Sequence, residues 1–271
     1  MSETVRLETS GGRYVEVQVP PPAPDWPSVF VFALHKAGSV LLDNIVIDLC
    51  AAAGLPNVSI DSLCFNYNIP VEQLTPASAA ELMNRPGYCF RGFRGVHPFL
   101  QSVDLASRRK IVLVRDPRDI LTSYYFSMAK SHPLPSAPGA VRDTLVTMRD
   151  AAAQTSIDEY VTSPLVKFIE LNYRAFIALD GENTRTYRYE DVIFNKRDWV
   201  ADIAGWLSIE LSAEEIDRIA AKHDVRPEDE NPDRHIRQVT PGNYKKHLKP
   251  ETMTILNHQY MEILIRFDYV Y

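Results

Sequence analysis

The sequence predicts an α/β fold: a central, mostly parallel sheet flanked by helices, preceded by an N-terminal β-hairpin. Three observations predict it. Val29–Leu34 (VFVFAL) and Ile111–Val114 (IVLV) are continuous apolar runs with the length and residue types of strands buried on both faces. Each run enters a polar loop and then a segment with apolar residues at helical spacing. Val5–Thr9 and Tyr14–Val19 instead alternate apolar and polar residues around Ser10-Gly11-Gly12, the pattern of an antiparallel pair closed by a glycine turn.

Taken in order, the hairpin leads into Pro20–Pro27 (PPPAPDWP), which cannot hold ladder hydrogen bonds and reads as a stiff linker. Residues 1–27 are therefore expected to pack, as hairpin and linker, on a main domain spanning 28–271. The first buried strand ends at His35-Lys36-Ala37-Gly38-Ser39. A helix follows, with Leu41, Leu42, Ile45, Val46, Leu49 and Cys50 on its apolar stripe, and Gly54 and Pro56 stop it. Residues 61–94 are mixed, with a helix-like stretch from Val71 to Met83. In the second unit Asp116 is placed to cap a helix and Pro117 occupies its first position. Residues 131–140 carry three prolines and a glycine and read as a surface loop able to close over a pocket. Beyond it, 157–178, 199–207 and 213–223 read as helices and 184–189 as a strand. Two strand-loop-helix units imply a doubly wound sheet whose ligand lies at the carboxyl ends of its strands.

Composition narrows the function. The 271 residues, 45% of them apolar, suffice for a sizeable core, and 29 basic against 35 acidic residues give a net charge of −6. That balance argues against nucleic acid as a partner. No apolar run reaches the roughly 18 residues a membrane helix needs. Cys50, Cys64 and Cys89 are odd in number and contain no C-x-x-C pair, so they read as core thiols of a cytoplasmic protein, with no metal implied.

A loop between a buried strand and a helix aims backbone N–H groups and a helix dipole at its ligand, which suits phosphates. Lys36 adds a point charge. It precedes Gly38, whereas a Walker A loop needs its lysine after the second glycine, so ATP loses support. The order Lys36-Ala37-Gly38-Ser39-Val40 after the strand resembles the 5′-phosphosulfate loop of the sulfotransferases that use 3′-phosphoadenosine 5′-phosphosulfate (PAPS). Arg115-Asp116-Pro117-Arg118-Asp119, with Ser123 and Tyr125 beyond, is similar to that family's 3′-phosphate segment. Tyr187-Arg188-Tyr189-Glu190-Asp191 looks like its adenine-side stretch, and Arg234–Lys245 is similar to its late phosphate loop. Gln238 and Val239 depart there from the usual lysine and glycine. His35 stands where the family has proline, Val40 where it has a hydroxyl residue, and Leu41 where it often has tryptophan.

The resemblance implies a P-loop-like sulfotransferase architecture, PAPS as sulfuryl donor and PAP (adenosine 3′,5′-bisphosphate) as product, with no metal required. Lys36, Ala37, Gly38, Ser39 and Val40 would then hold the 5′-phosphosulfate. Arg115, Ser123 and Arg237 would hold the 3′-phosphate, and Tyr189 would lie by the adenine. The acceptor is expected to be a small molecule or carbohydrate offering a hydroxyl in preference to an amine, and a homodimer is left open. For the general base, His97 ranks first, with His35 and then Asp43 behind it; Arg91 and Arg94 stay charged and suit an anion better than a proton. Two rival readings are a nucleoside or small-molecule kinase and a catalytically silent PAPS-binding scaffold.

Overall fold

The computed structural model describes residues 2–136, 138–227 and 238–269. Strands β1 (Glu3–Glu8) and β2 (Tyr14–Val19) form the antiparallel hairpin, in a sheet of their own. Their alternation has a physical purpose: Val5, Leu7, Val15, Val17 and Val19 are buried and join the same core as the central sheet. Thr9 bridges to Leu74, so the hairpin lies across the 71–83 segment and adds no edge to the main sheet.

The central sheet has five strands: β3 (Val29–Ala33), β4 (Asn57–Ser59), β5 (Cys89–Phe93), β6 (Arg109–Val114) and β7 (Thr184–Arg188). Their order is β4-β5-β3-β6-β7 and every pairing is parallel. Both predicted buried strands are present, side by side at the centre. Phe30 and Phe32 of β3 stack against Phe90 and Phe93 of β5 at centroid distances of 5.1 to 6.1 Å. Each such fully buried ring contributes about 1.5–3 kcal/mol.

The helices are α1 (Ser39–Ala52), α2 (Ile60–Asn66), α3 (Pro76–Met83), α4 (Pro117–Phe126), α5 (Ala140–Gln154), α6 (Ile157–Val161), α7 (Lys167–Ile177), α8 (Tyr189–Val192), α9 (Lys196–Trp206) and α10 (Ala213–Lys222). The short α11 (Tyr244–His247), α12 (Pro250–Gln259) and α13 (Met261–Arg266) follow. The helix expected over 157–178 is broken in two at Pro164, which has no N–H to give to the ladder. The stretch from Val71 is likewise a 3-10 turn, Val71–Gln73, and only from Pro76 a helix. Asp116 accepts from the Arg118 N–H and caps α4, as its position predicts.

Because β3 and β6 are neighbours and parallel, their two following loops emerge together at one edge of the sheet. That adjacency builds the site. Among the described residues, no helix is long and apolar enough to cross a membrane, and no three His, Cys, Asp or Glu side chains gather where a metal could sit.

Candidate active site

The β3–α1 loop turns sharply. Lys36 has φ of 62° and Gly38 φ of 88°, both in the left-handed region that costs a side chain about 1–2 kcal/mol and glycine little. Gly38 is needed for a second reason. A Cβ there would stand 3.0 Å from the Tyr189 ring, so only hydrogen leaves that ring its place beside the loop. The loop opens α1, and Ser39, its first residue, is buried.

Arg115, at the end of β6, ties this loop to the second one. Its Nη1 donates to the Lys36 carbonyl at 3.2 Å and its Nη2 to Asp119 at 3.3 Å, while the guanidinium lies 4.4 Å over the Tyr189 ring. Burial works against its charge. The Asp119 carboxylate, with Tyr189 and Glu190, more than compensates and holds its pKa above the ordinary arginine value. The Arg115 Nε is buried without a hydrogen-bond partner among the described residues. Asp119 also accepts from the N–H groups of Gly242 (2.7 Å) and Tyr244 (2.9 Å), and the Tyr189 hydroxyl donates to the Val239 carbonyl at 2.9 Å. Four segments distant in sequence are thereby knitted around one cleft.

The cleft has a volume of about 250 Å³, and Lys36, Gly38, Ser39, Arg115, Ser123 and Tyr189 all line it. Val40 does too and is exposed at the rim. Ala37 is fully buried beneath the turn and offers backbone alone. Arg237 lies outside the described residues; Gln238 and Val239, next to it, reach the cleft wall. The set of lysine, arginine and two hydroxyls lining the cleft suits phosphate oxygens.

The family described as Sulfotransferase domain matches residues 27–262. The chain belongs to that family. No curated relative matches it. Solved structures similar to this sulfotransferase include mouse sulfotransferase SULT7A1 complexed with PAP, at 15% identity and a TM-score of 0.55, covering 88% of this chain and 84% of that one. Retinol dehydratase is similar as well, in complex with androsterone and inactive cofactor PAP (17% identity, TM-score 0.50) and with retinol and PAP (16%, 0.50), each covering 96% of this chain and 90% of the other. At such identity the likeness is one of fold, and it agrees with the parallel sheet and flanking helices described above.

None of the three base candidates of this sulfotransferase is among the residues lining the cleft. His97 is buried, with Nε2 3.3 Å from Asp61 Oδ2, Nδ1 3.7 Å from Glu72 and its ring stacked on Phe99. Burial would lower its pKa, but the Asp61 hydrogen bond and the two carboxylate charges win and raise it. Both nitrogens thus face carboxylates. His35 is edge-on to Tyr124 and Phe168, and burial, with the Arg94 and His132 charges, drives its pKa down to about 3. Asp43 is ion-paired to Arg91 and Arg94.

Sequence reasoning missed the far wall of the cleft, where Asn44, Lys196 and His223 stand. Lys196 is almost fully buried; its Nζ donates to the Ile193 carbonyl and, at 2.8 Å, to Asp224. His223 pairs with Asp48 at 2.8 Å. The partners are 28 and 175 residues apart, so no local pattern announces either.

Proposed function

We propose that this sulfotransferase moves a sulfuryl group from PAPS to a hydroxyl, in preference to an amine, of a small-molecule or carbohydrate acceptor by in-line displacement. The observation that carries the reading is the meeting of Lys36, Gly38, Ser39, Arg115, Ser123 and Tyr189 on one cleft from three separate segments. PAPS, when bound, supplies an activated sulfuryl group whose leaving group is a phosphate oxygen. Lys36 and the N–H groups at the start of α1 neutralise the charge that grows on that oxygen, and Ser39 holds a phosphate oxygen beside them. Arg115 and Ser123 grip the 3′-phosphate, with Arg237 assigned to the same task by resemblance. Arg115 is already pinned to the Lys36 carbonyl, so the two phosphate grips hold their spacing without reorganising on binding. Tyr189 flanks the adenine side.

For the proton we assign His35 ahead of His97. His35 adjoins Lys36 and is a neutral imidazole at any working pH, whereas both nitrogens of His97 are engaged. A value of about 3 makes a feeble base in the free protein. The charge of an anionic donor beside Lys36 would favour the imidazolium and shift that value upward. His97 then acts through Asp61, as a positioning residue.

Calorimetry with PAP and with ATP, followed by transfer of labelled sulfate from PAPS, tests the reading. PAP is expected to bind at least about tenfold more tightly than ATP, as one lost charge-assisted contact would give. Preference for ATP would mean a kinase, and tight PAP binding without transfer to any acceptor in a broad screen would mean a silent binder.

A further inference from the structure

Helix α1 carries the cleft away from the Lys36 loop. Val40 and Asn44 are four residues apart on one face of it and both line the cleft, and Asp48 follows at the same spacing. Asn44 is five residues beyond Ser39, about 7.5 Å along the axis at 1.5 Å per residue. That is the scale of the ribose and base that extend from a nucleotide's 5′-phosphate. Tyr189 and Ile193, one helical turn apart, line the same cleft. His223, which ends α10, stands at this end and is bonded to Asp48.

His223 is held from two sides. Its Nε2 meets Asp48 Oδ2 at 2.8 Å, and its neighbour Asp224 accepts from the buried Lys196 ammonium at 2.8 Å. Asp48 also faces the Lys222 ammonium, at 2.7 Å. Burial would raise the Asp48 pKa, but the hydrogen bonds and charges of Lys222 and His223 outweigh it and hold the group below its usual value. Asp48 is therefore a carboxylate, able only to accept, and Nε2 carries the proton of that bond. In the neutral ring the other nitrogen, Nδ1, is then an acceptor. It makes no hydrogen bond among the described residues, and the ring lines the cleft. The Asn44 amide, exposed one helical turn from Asp48, is likewise without a hydrogen bond among the described residues and lines the cleft.

We propose that His223 selects the nucleobase of the donor: Nδ1 accepts from an exocyclic amine while the Asn44 amide donates to the adjacent ring nitrogen. An acceptor beside a donor complements a 6-aminopurine edge, which offers N–H at its amine and a lone pair at N1. A 6-oxopurine offers the reverse, and its carbonyl sets a lone pair against that of Nδ1. The Asn44 amide can turn over to suit either edge. The neutral imidazole cannot, because Asp48 fixes its proton on Nε2. The inference rests on the PAPS reading for which ligand fills the cleft, and it adds the residue that sets the base preference.

Calorimetry with PAP and with inosine 3′,5′-bisphosphate tests it, since the two share sugar and phosphates and the ratio of their affinities reports the base alone. The wild type is expected to favour PAP by about tenfold or more, one hydrogen bond gained against one lone-pair clash. His223→Phe, which keeps a ring but no acceptor, should bring the two within about threefold, chiefly by weakening PAP. His223→Gln, which restores an acceptor oxygen, should recover part of the preference. Asn44→Ala should weaken both ligands and leave their ratio. A wild-type ratio near one, or a preference that survives in His223→Phe, overturns the assignment. So does a loss of both ligands alike in His223→Phe and His223→Gln, which makes His223 a support of the cleft wall, or a preference removed by Asn44→Ala alone. All of these leave the nucleotide reading standing, whereas a wild type that binds neither compound refutes that reading first.

Discussion

The cleft and the charged cluster at the carboxyl end of β5 are built in opposite ways. Around the cleft, cationic and hydroxyl side chains come from loop positions fixed by backbone: Lys36 and Gly38 by left-handed φ, Arg115 by its bond to the Lys36 carbonyl. Around the β5 cluster, charged side chains are held mainly by one another: Asp43 by Arg91 and Arg94, Asp61 by His97. Each arrangement keeps a buried polar atom without a hydrogen-bond partner among the described residues, Arg115 Nε in the first and Asp61 Oδ1 in the second. A site that must bind one fixed nucleotide profits from backbone geometry, which substitution alters little. A site that must fit a particular acceptor is better made from side chains that can be exchanged.

The most severe way to break the comparison is on the cleft side. Lys36→Ala is expected to lower the rate of sulfate transfer by about 10² to 10³, the scale of a lost transition-state charge contact, while PAP affinity falls far less. Single-turnover transfer beside calorimetry separates the two, and an equal loss in both would reduce Lys36 to a ground-state contact. His35→Ala should cost about 10² in the same assay, the low end for a general base, with His97→Ala within about threefold of wild type. The reverse order of the two histidines would return the base to His97. Arg115→Met is expected to weaken PAP by about tenfold or more and also to lower the melting temperature. The second effect follows because the fully buried Asp119 would lose its cation while still holding the Gly242 and Tyr244 N–H groups. Ser123→Ala, which removes one neutral donor, should weaken PAP only about threefold to tenfold and leave melting unchanged.

The same contrast explains what was legible in the sequence. The two central strands, the capped helix after Asp116 and the loop at Lys36 are local patterns, each spelled by adjacent residues, and all are present in the fold. Strands β4 and β5 were not readable. Asn57–Ser59 is too short to show a period, and Arg91 with Gly92 interrupts CFRGF at a bulge in its pairing with β3. Helix α5 buries only Ala152 fully, and its core-facing stripe of Leu145, Met148 and Ala152 is sparse and partly exposed. Lys36, Gly38, Ser39, Arg115, Ser123 and Tyr189 could be named from motifs, and they meet on the cleft. Lys196 and His223 could not, because their partners Asp224 and Asp48 reach them only through folding. The pairing of His97 with Asp61 is of that second kind, 36 residues apart, and a lone histidine in sequence carries no sign of its partner.

The smallest effect expected probes that pairing through stability. The folded protein holds the His97 pKa above its unfolded value of 6.5, since the Asp61 hydrogen bond and the Asp61 and Glu72 charges outweigh burial. The imidazolium is therefore bound more tightly in the folded state than in the unfolded one. Its contribution to stability is fully present below pH 6.5 and is lost as pH rises through the folded value. His97→Gln keeps polar contact with Asp61 but cannot titrate. The wild type should lose melting temperature relative to this variant as pH rises above 6.5. A constant gap between the two melting curves across that range would show that folding leaves the His97 pKa at its unfolded value.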